Sequence, residues 1–107
     1  WRRSGPEAPV PDLPELDPIV HAPVRLAVLS LLATLDEAEF THLRERVGAT
    51  DGNLSVHLTK LEEAGYVAAR KGFAGKKPRS TYRLTEKGRA AFLGYVKQLK
   101  SLLASQL

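Results

Sequence analysis

The 107 residues predict a mainly α fold carrying one small β-hairpin, an α+β class, on three observations. Apolar residues recur at helical spacing in four stretches: Leu26 to Leu35, Leu43 with Val47, Leu54 to Leu61, and Phe92 to Leu107. After Gly65 the period drops to two across "YVAARKGF" and "STYRL", which flank the Gly- and Pro-containing "AGKKPR". Starting and stopping residues sit at the joints, among them Pro23, Gly48, Thr50, Gly65 and Thr85. A hydrophobic content of 43% in a chain of this length suits one core.

Six of the seven prolines lie in the first 23 residues, so residues 1–16 are expected to form a flexible, extended arm. The folded domain is expected over 17–107. In "ELDPIVHA" Asp17 is placed to cap a short helix with Pro18 at its first position, where a missing N–H costs nothing. "HAPVRLAVLSLLATLD" follows as a buried helix starting at Pro23, its stripe formed by Leu26, Leu29, Leu32 and Leu35 with Val28 and Leu31 beside them. A brief extended "AEF" leads to "THLRERVG", a helix capped by Thr41 and stopped by Gly48. The helix in "ATDGNLSVHLTKLEEAG" starts at Thr50 and Asp51, buries Leu54, Leu58 and Leu61, and ends at Gly65. The hairpin comes next. Thr85 then opens a long helix over 86–107 with apolar residues Phe92, Val96, Leu99, Leu103 and Leu107, flanked by Tyr95 and Leu102.

The charge pattern bears on function. Of sixteen Lys and Arg residues, six fall between Arg70 and Arg83 with no acid among them, and the other ten face twelve Asp and Glu. The net charge of +4 is therefore local to the hairpin, and local positive charge suits a polyanionic partner. Helix, tight turn, second helix and basic hairpin, in that order, are the parts of a winged helix-turn-helix, whose second helix enters the DNA major groove. At about 100° per residue, Leu54, Leu58 and Leu61 fall within about 60° of one another. The other side shows Ser55, Val56, Thr59, Lys60 and Glu63. Ser, Thr and Lys reach phosphates or base edges, and Val56 suits a thymine methyl. Gly52 and Asn53 lie at the helix N-terminus, where free N–H groups favour a phosphate. Lys76, Lys77 and Arg79 are expected along the hairpin tip, with Arg70 and Lys71 nearer its base, on the phosphate backbone or in the minor groove. Arg83 is equally suited to pairing with an acid of its own domain.

Other chemistries lack their residues. There is no cysteine, hence no disulfide, thiolate site or Cys nucleophile. His21, His42 and His57 match no metal-ligand spacing, so no metal or cofactor is expected. His57 flanks the leucine stripe, and packing on the core and contacting a phosphate are equally open to it. Ser55 and His57 point about 160° apart on one helix and form no nucleophile–base pair. With no catalytic spacing elsewhere, no enzymatic activity is expected. The longest apolar run is far below the roughly 20 residues of a membrane span, and the N-terminus lacks the apolar region of a signal peptide. A soluble, cytoplasmic protein is the expectation.

The final helix, about 30 Å long if about 20 residues are helical, would overhang so small a body. Phe92, Tyr95, Val96, Leu99, Leu102 and Leu103 are therefore expected to bury against a second copy, with the first helix beside them. A two-fold dimer would set two recognition helices about one DNA turn apart on a palindromic site. The alternative is a winged-helix protein-interaction module that binds an acidic protein surface and no DNA.

The motifs "HAPVRLAVLSLL" and "FTHLRERVGATDGNLSVHLTKLEEAGYVAARKGFAGKKPRSTYRLTEKGRAAFLGYV", spanning roughly His21 to Val96, resemble small winged-helix transcriptional regulators related to the MarR and ArsR families. The resemblance implies a homodimeric, double-stranded-DNA-binding regulator whose terminal helices make the dimer. The cysteines of the metal-sensing branch are missing. A MarR-like dimer also holds small-molecule effectors between its dimerisation helices and DNA-binding domains, but no polar cluster in this chain identifies one. The Pro-rich arm lies outside the resemblance.

Overall fold

The computed structural model describes residues 16–106. Its elements run α1 (Pro23–Thr34), β1 (Ala38–Glu39), α2 (Phe40–Val47), α3 (Asp51–Glu63), β2 (Val67–Ala74), β3 (Lys77–Leu84) and α4 (Glu86–Gln106). The strands form one antiparallel sheet in the order β1-β3-β2. This is the winged helix-turn-helix order that the periodicity predicts. The proposed arm lies outside the described residues except for Leu16, which is half-buried against the core.

The short helix expected in "ELDPIVHA" is, over the described residues, a single turn. Asp17 caps it, its Oδ1 accepting the Ile19 N–H at 2.8 Å and its carbonyl accepting the His21 N–H at 2.8 Å. The turn stops because Ala22 precedes a proline and is extended, at φ −153° and ψ 136°. Pro23 then starts α1. The buried stripe of α1 is Arg25, Val28, Leu29 and Leu32, rotated from the all-leucine stripe the spacing suggests; Leu26, Leu31 and Leu35 are its half-buried flanks.

Helix α2 begins directly out of β1 with Glu39 at its cap position and no side-chain cap, so Thr41 lies inside the first turn and is not the cap. Gly48 ends α2 in the left-handed region at φ +75°, its N–H bonding the Arg44 carbonyl at 2.8 Å. Two residues later Thr50 caps α3, its Oγ1 accepting the Asn53 N–H at 3.2 Å. Asp51 in the first turn of α3 pairs with Arg44 of α2 at 2.9 Å, setting a charge of the sign the helix dipole favours and bridging the turn.

Leu29, Leu32, Leu43, Leu54 and Leu61 are fully buried and, with Val20, Val28, Leu58, Val67, Tyr82, Leu84, Ala38 and Tyr95, make one core under the sheet. Each leucine truncated to alanine in such a core costs about 2–5 kcal/mol. The Thr85 hydroxyl fastens α4 to this body, accepting the Gly88 N–H at 2.9 Å and donating to the Gly65 carbonyl at 2.6 Å. Among the described residues no helix is long and apolar enough to cross a membrane.

Candidate nucleic-acid interface

Helix α3 divides sharply into two sides. Leu54, Leu58 and Leu61 are at most 1% exposed, whereas Gly52, Asn53, Ser55, Val56, Thr59, Lys60 and Glu63 are all exposed. Gly52, Ser55, Val56, Thr59, Lys60 and Glu63 line one shallow concave patch, with Val56 as its apolar centre. A patch of small hydroxyls and one aliphatic side chain has donors, acceptors and a methyl surface, which is the equipment for reading base edges.

His57 is placed between the two sides of α3, and the structure decides its role. Its Nδ1 lies 3.0 Å from Nη1 of Arg25, a guanidinium only 9% exposed. Arg25 also donates to the carbonyls of Ile19 at 2.6 Å and Pro18 at 3.2 Å. One buried cation thus ties the N-terminal turn, α1 and α3 together. Arginine has no acceptor, so His57 must present a bare Nδ1 lone pair. Burial first, then the charges of Arg25 and Lys60, push the His57 pKa below its ordinary value and keep the ring neutral. Sequence reasoning missed Arg25, although a signal was present: it stands three, four and seven residues before Val28, Leu29 and Leu32, in register with the buried stripe.

The hairpin is longer and tighter than the sequence suggests. Ala74 pairs with Lys77, which leaves only Gly75 and Lys76 as the turn. Gly75 is at φ +65° and Lys76 is not at positive φ, the pattern of a type II′ turn, which matches the twist of the strands it joins. Lys77 and Arg79, expected at the tip, are therefore strand residues, opposite Ala74 and Gly72. All residues from Arg70 to Arg79 are exposed.

The pleat sorts them by face. Register places Val67, Ala69, Lys71 and Phe73 of β2 on one face with Leu84, Tyr82, Ser80 and Pro78 of β3. At its base this face carries the buried Val67, Tyr82 and Leu84; beyond the body the same face continues as Lys71, Phe73, Pro78 and Ser80. The opposite face carries Arg70, Lys77, Arg79 and Arg83. There, Arg79 pairs with Glu39 at 2.7 Å and Arg70 with Glu37 at 3.3 Å. The acid-free appearance of this segment is thus a property of the sequence, not of space. Strand β1 and the residue before it bring acids, Glu39 and Glu37, to two of the cations. Lys71, Lys76, Lys77 and Arg83 make no ion pair with another described residue.

On α4 the expected seam divides. Tyr95 faces inward, 4% exposed, its hydroxyl 2.8 Å from His21 Nδ1, so grouping it with a surface seam is corrected. Phe92, Val96 and Leu99 are half-buried against the core of their own chain. Leu102 is half-buried and Leu103 is 53% exposed, both past the end of the core cluster, while Leu93 is 55% exposed.

A turn-linked helix pair followed at once by a two-stranded basic wing defines a winged helix-turn-helix protein. The chain belongs to the winged helix DNA-binding domain family, whose model matches residues 24–103. It is 39% identical over 84 residues to an uncharacterized protein of Methanocaldococcus jannaschii, covering 78% of this chain and 91% of that one. Among solved structures it is similar to a transcriptional regulator homologue from Pyrococcus horikoshii, with TM-score 0.76, 28% identity and coverage of 82% and 87%. The fold also matches Bacillus subtilis PadR in complex with operator DNA, with TM-score 0.59, 20% identity and coverage of 76% and 59%.

Proposed function

We propose that the protein is a transcriptional regulator that binds specific double-stranded DNA sites as a homodimer. The exposed side of α3, Gly52 to Lys60, reads the major groove, and the wing, through Lys71, Lys76, Lys77, Arg70 and Arg79, holds the phosphate backbone and the neighbouring minor groove. Leu102 and Leu103, with Leu93, Val96, Leu99 and Phe92, form the apolar surface for the second copy. The observation that carries this reading is that, with α4 in place, both the patch on α3 and residues 70–79 of the wing stay exposed to solvent. A recognition surface has to be open before its partner arrives.

The test is fluorescence anisotropy of a labelled duplex long enough for two half-sites, titrated at several salt concentrations. Log affinity should fall linearly with log salt, with a slope of about −0.9 per phosphate neutralised. Charge reversal of Lys71, Lys76 and Lys77 together should abolish binding and leave the dimer intact. A protein that shifts no duplex even at low salt is not a DNA-binding regulator.

A further inference from the structure

The wing carries an aromatic residue that neither the core nor the electrostatic account uses. Phe73 is 74% exposed, the most exposed of the large apolar side chains among the described residues. It pairs across the hairpin with Pro78, next to the turn-closing pair Ala74 and Lys77. In a two-residue hairpin the closing pair is hydrogen-bonded, so the next pair out is a non-hydrogen-bonded one, in which side chains approach most closely. The missing N–H of proline costs nothing at that position, since β1 reaches only Thr81 and Tyr82 along β3. Phe73 and Pro78 therefore form a rigid apolar ridge, fixed by the strands and not by a flexible loop. Lys71 precedes it on the same face and Lys76 lies in the adjoining turn, while Lys77 points to the opposite face with Arg79.

We propose that this ridge is an apolar wedge that enters the DNA minor groove beside the phosphates gripped by Lys71 and Lys76. The inference rests on the DNA-binding reading above and assigns a residue to it that charge alone does not. An exposed phenyl ring with Lys71 on its own face and Lys76 at the adjoining turn suits an occupant that is apolar inside and anionic at its rim. The minor groove offers that arrangement: sugars and base-pair edges form its walls and floor, and phosphates line both lips. Apolar side chains inserted there partly unstack a base step and bend the duplex away from them. Proline opposite the ring limits the rotamers and backbone shifts by which the ring would yield under load.

The test compares wild type with Phe73→Ala and Phe73→Leu, each checked for unchanged circular dichroism and thermal melting, on one labelled duplex. Phe73→Ala should weaken binding by about tenfold, the scale of one lost aromatic–base contact, and Phe73→Leu should recover most of the loss. The salt slope should not change, because no phosphate contact is removed. On duplex pre-saturated with netropsin, which occupies only the minor groove, the gap between wild type and Phe73→Ala should close. Phe73→Ala binding as tightly as wild type, or a gap that persists on netropsin-filled DNA, overturns the wedge while leaving the regulator reading standing. No duplex binding by wild type at low salt overturns both.

Discussion

Arg25 Nη1 donates to His57 Nδ1 at 3.0 Å, joining the buried stripe of α1 to α3 through one charge-assisted hydrogen bond. The contact exists only while the imidazole is neutral. Protonation would remove the acceptor and set two cations side by side in a partly buried site.

Acid should therefore weaken the fold through His57. Its folded pKa lies below the ordinary 6.5, so between the two values the unfolded chain binds more protons than the native one. Stability from this group is complete above about pH 6.5 and falls as pH drops toward the folded pKa. Urea midpoints of wild type and His57→Asn, measured from pH 8 to pH 5, should converge toward acid, since asparagine offers an acceptor that does not titrate.

Removing the guanidinium should be harsher than removing the ring. Arg25→Met leaves the Ile19 and Pro18 carbonyls and His57 Nδ1 without their donor. A loss of about 1–3 kcal/mol is expected by chemical denaturation, because partly buried acceptors left unpaired carry part of their desolvation cost.

Two glycines of α4 should respond to alanine with opposite signs. A Cβ at Gly88 would lie 2.0 Å from the Tyr66 carbonyl oxygen, whereas at Gly94 nothing stands within 4 Å. Gly88→Ala should destabilise by about 1–3 kcal/mol through forced separation of α4 from the segment before β2. Gly94→Ala should stabilise by up to about 1 kcal/mol through helix propensity alone. Thermal melts of the two variants against wild type check both.

Glu39 of β1 should restrain the wing. Arg79 is held 2.7 Å from Glu39, and a phosphate has to compete with that carboxylate for it. Glu39→Gln should tighten binding to random duplex several-fold and steepen the salt slope by about one phosphate's worth, about 0.9, in the anisotropy titration.

The proposed dimer would rest on apolar side chains that the chain leaves open. Leu103→Glu and Leu93→Glu, at positions 53% and 55% exposed, should halve the sedimenting mass with no change in circular dichroism. A mass unaffected by both changes would place any self-association elsewhere.

Much of the architecture was legible from residue order, for a local reason. Pro23, Gly48, Thr50, Gly65 and Thr85 act on the backbone within a turn of themselves, so the joints of α1, α2, α3 and α4 needed no knowledge of what lies across the fold. The division of α3 into Leu54, Leu58, Leu61 and an outward polar side follows from helical spacing in the same way. The short helix before Pro23 and the Thr41 cap failed because neighbouring elements left no room: proline enforced extension at Ala22, and β1 delivered the chain straight into α2.

What sequence order alone decided was the set of elements, their sequence and the location of the surplus charge. What tertiary structure alone decided was the company each charge and ring keeps. Glu37 and Glu39 lie more than thirty residues before Arg70 and Arg79, His57 thirty-two after Arg25, and Tyr95 seventy-four after His21. Such pairs form only when sheet register and helix packing bring distant segments within hydrogen-bond reach, and short-range spacing carries no information about them.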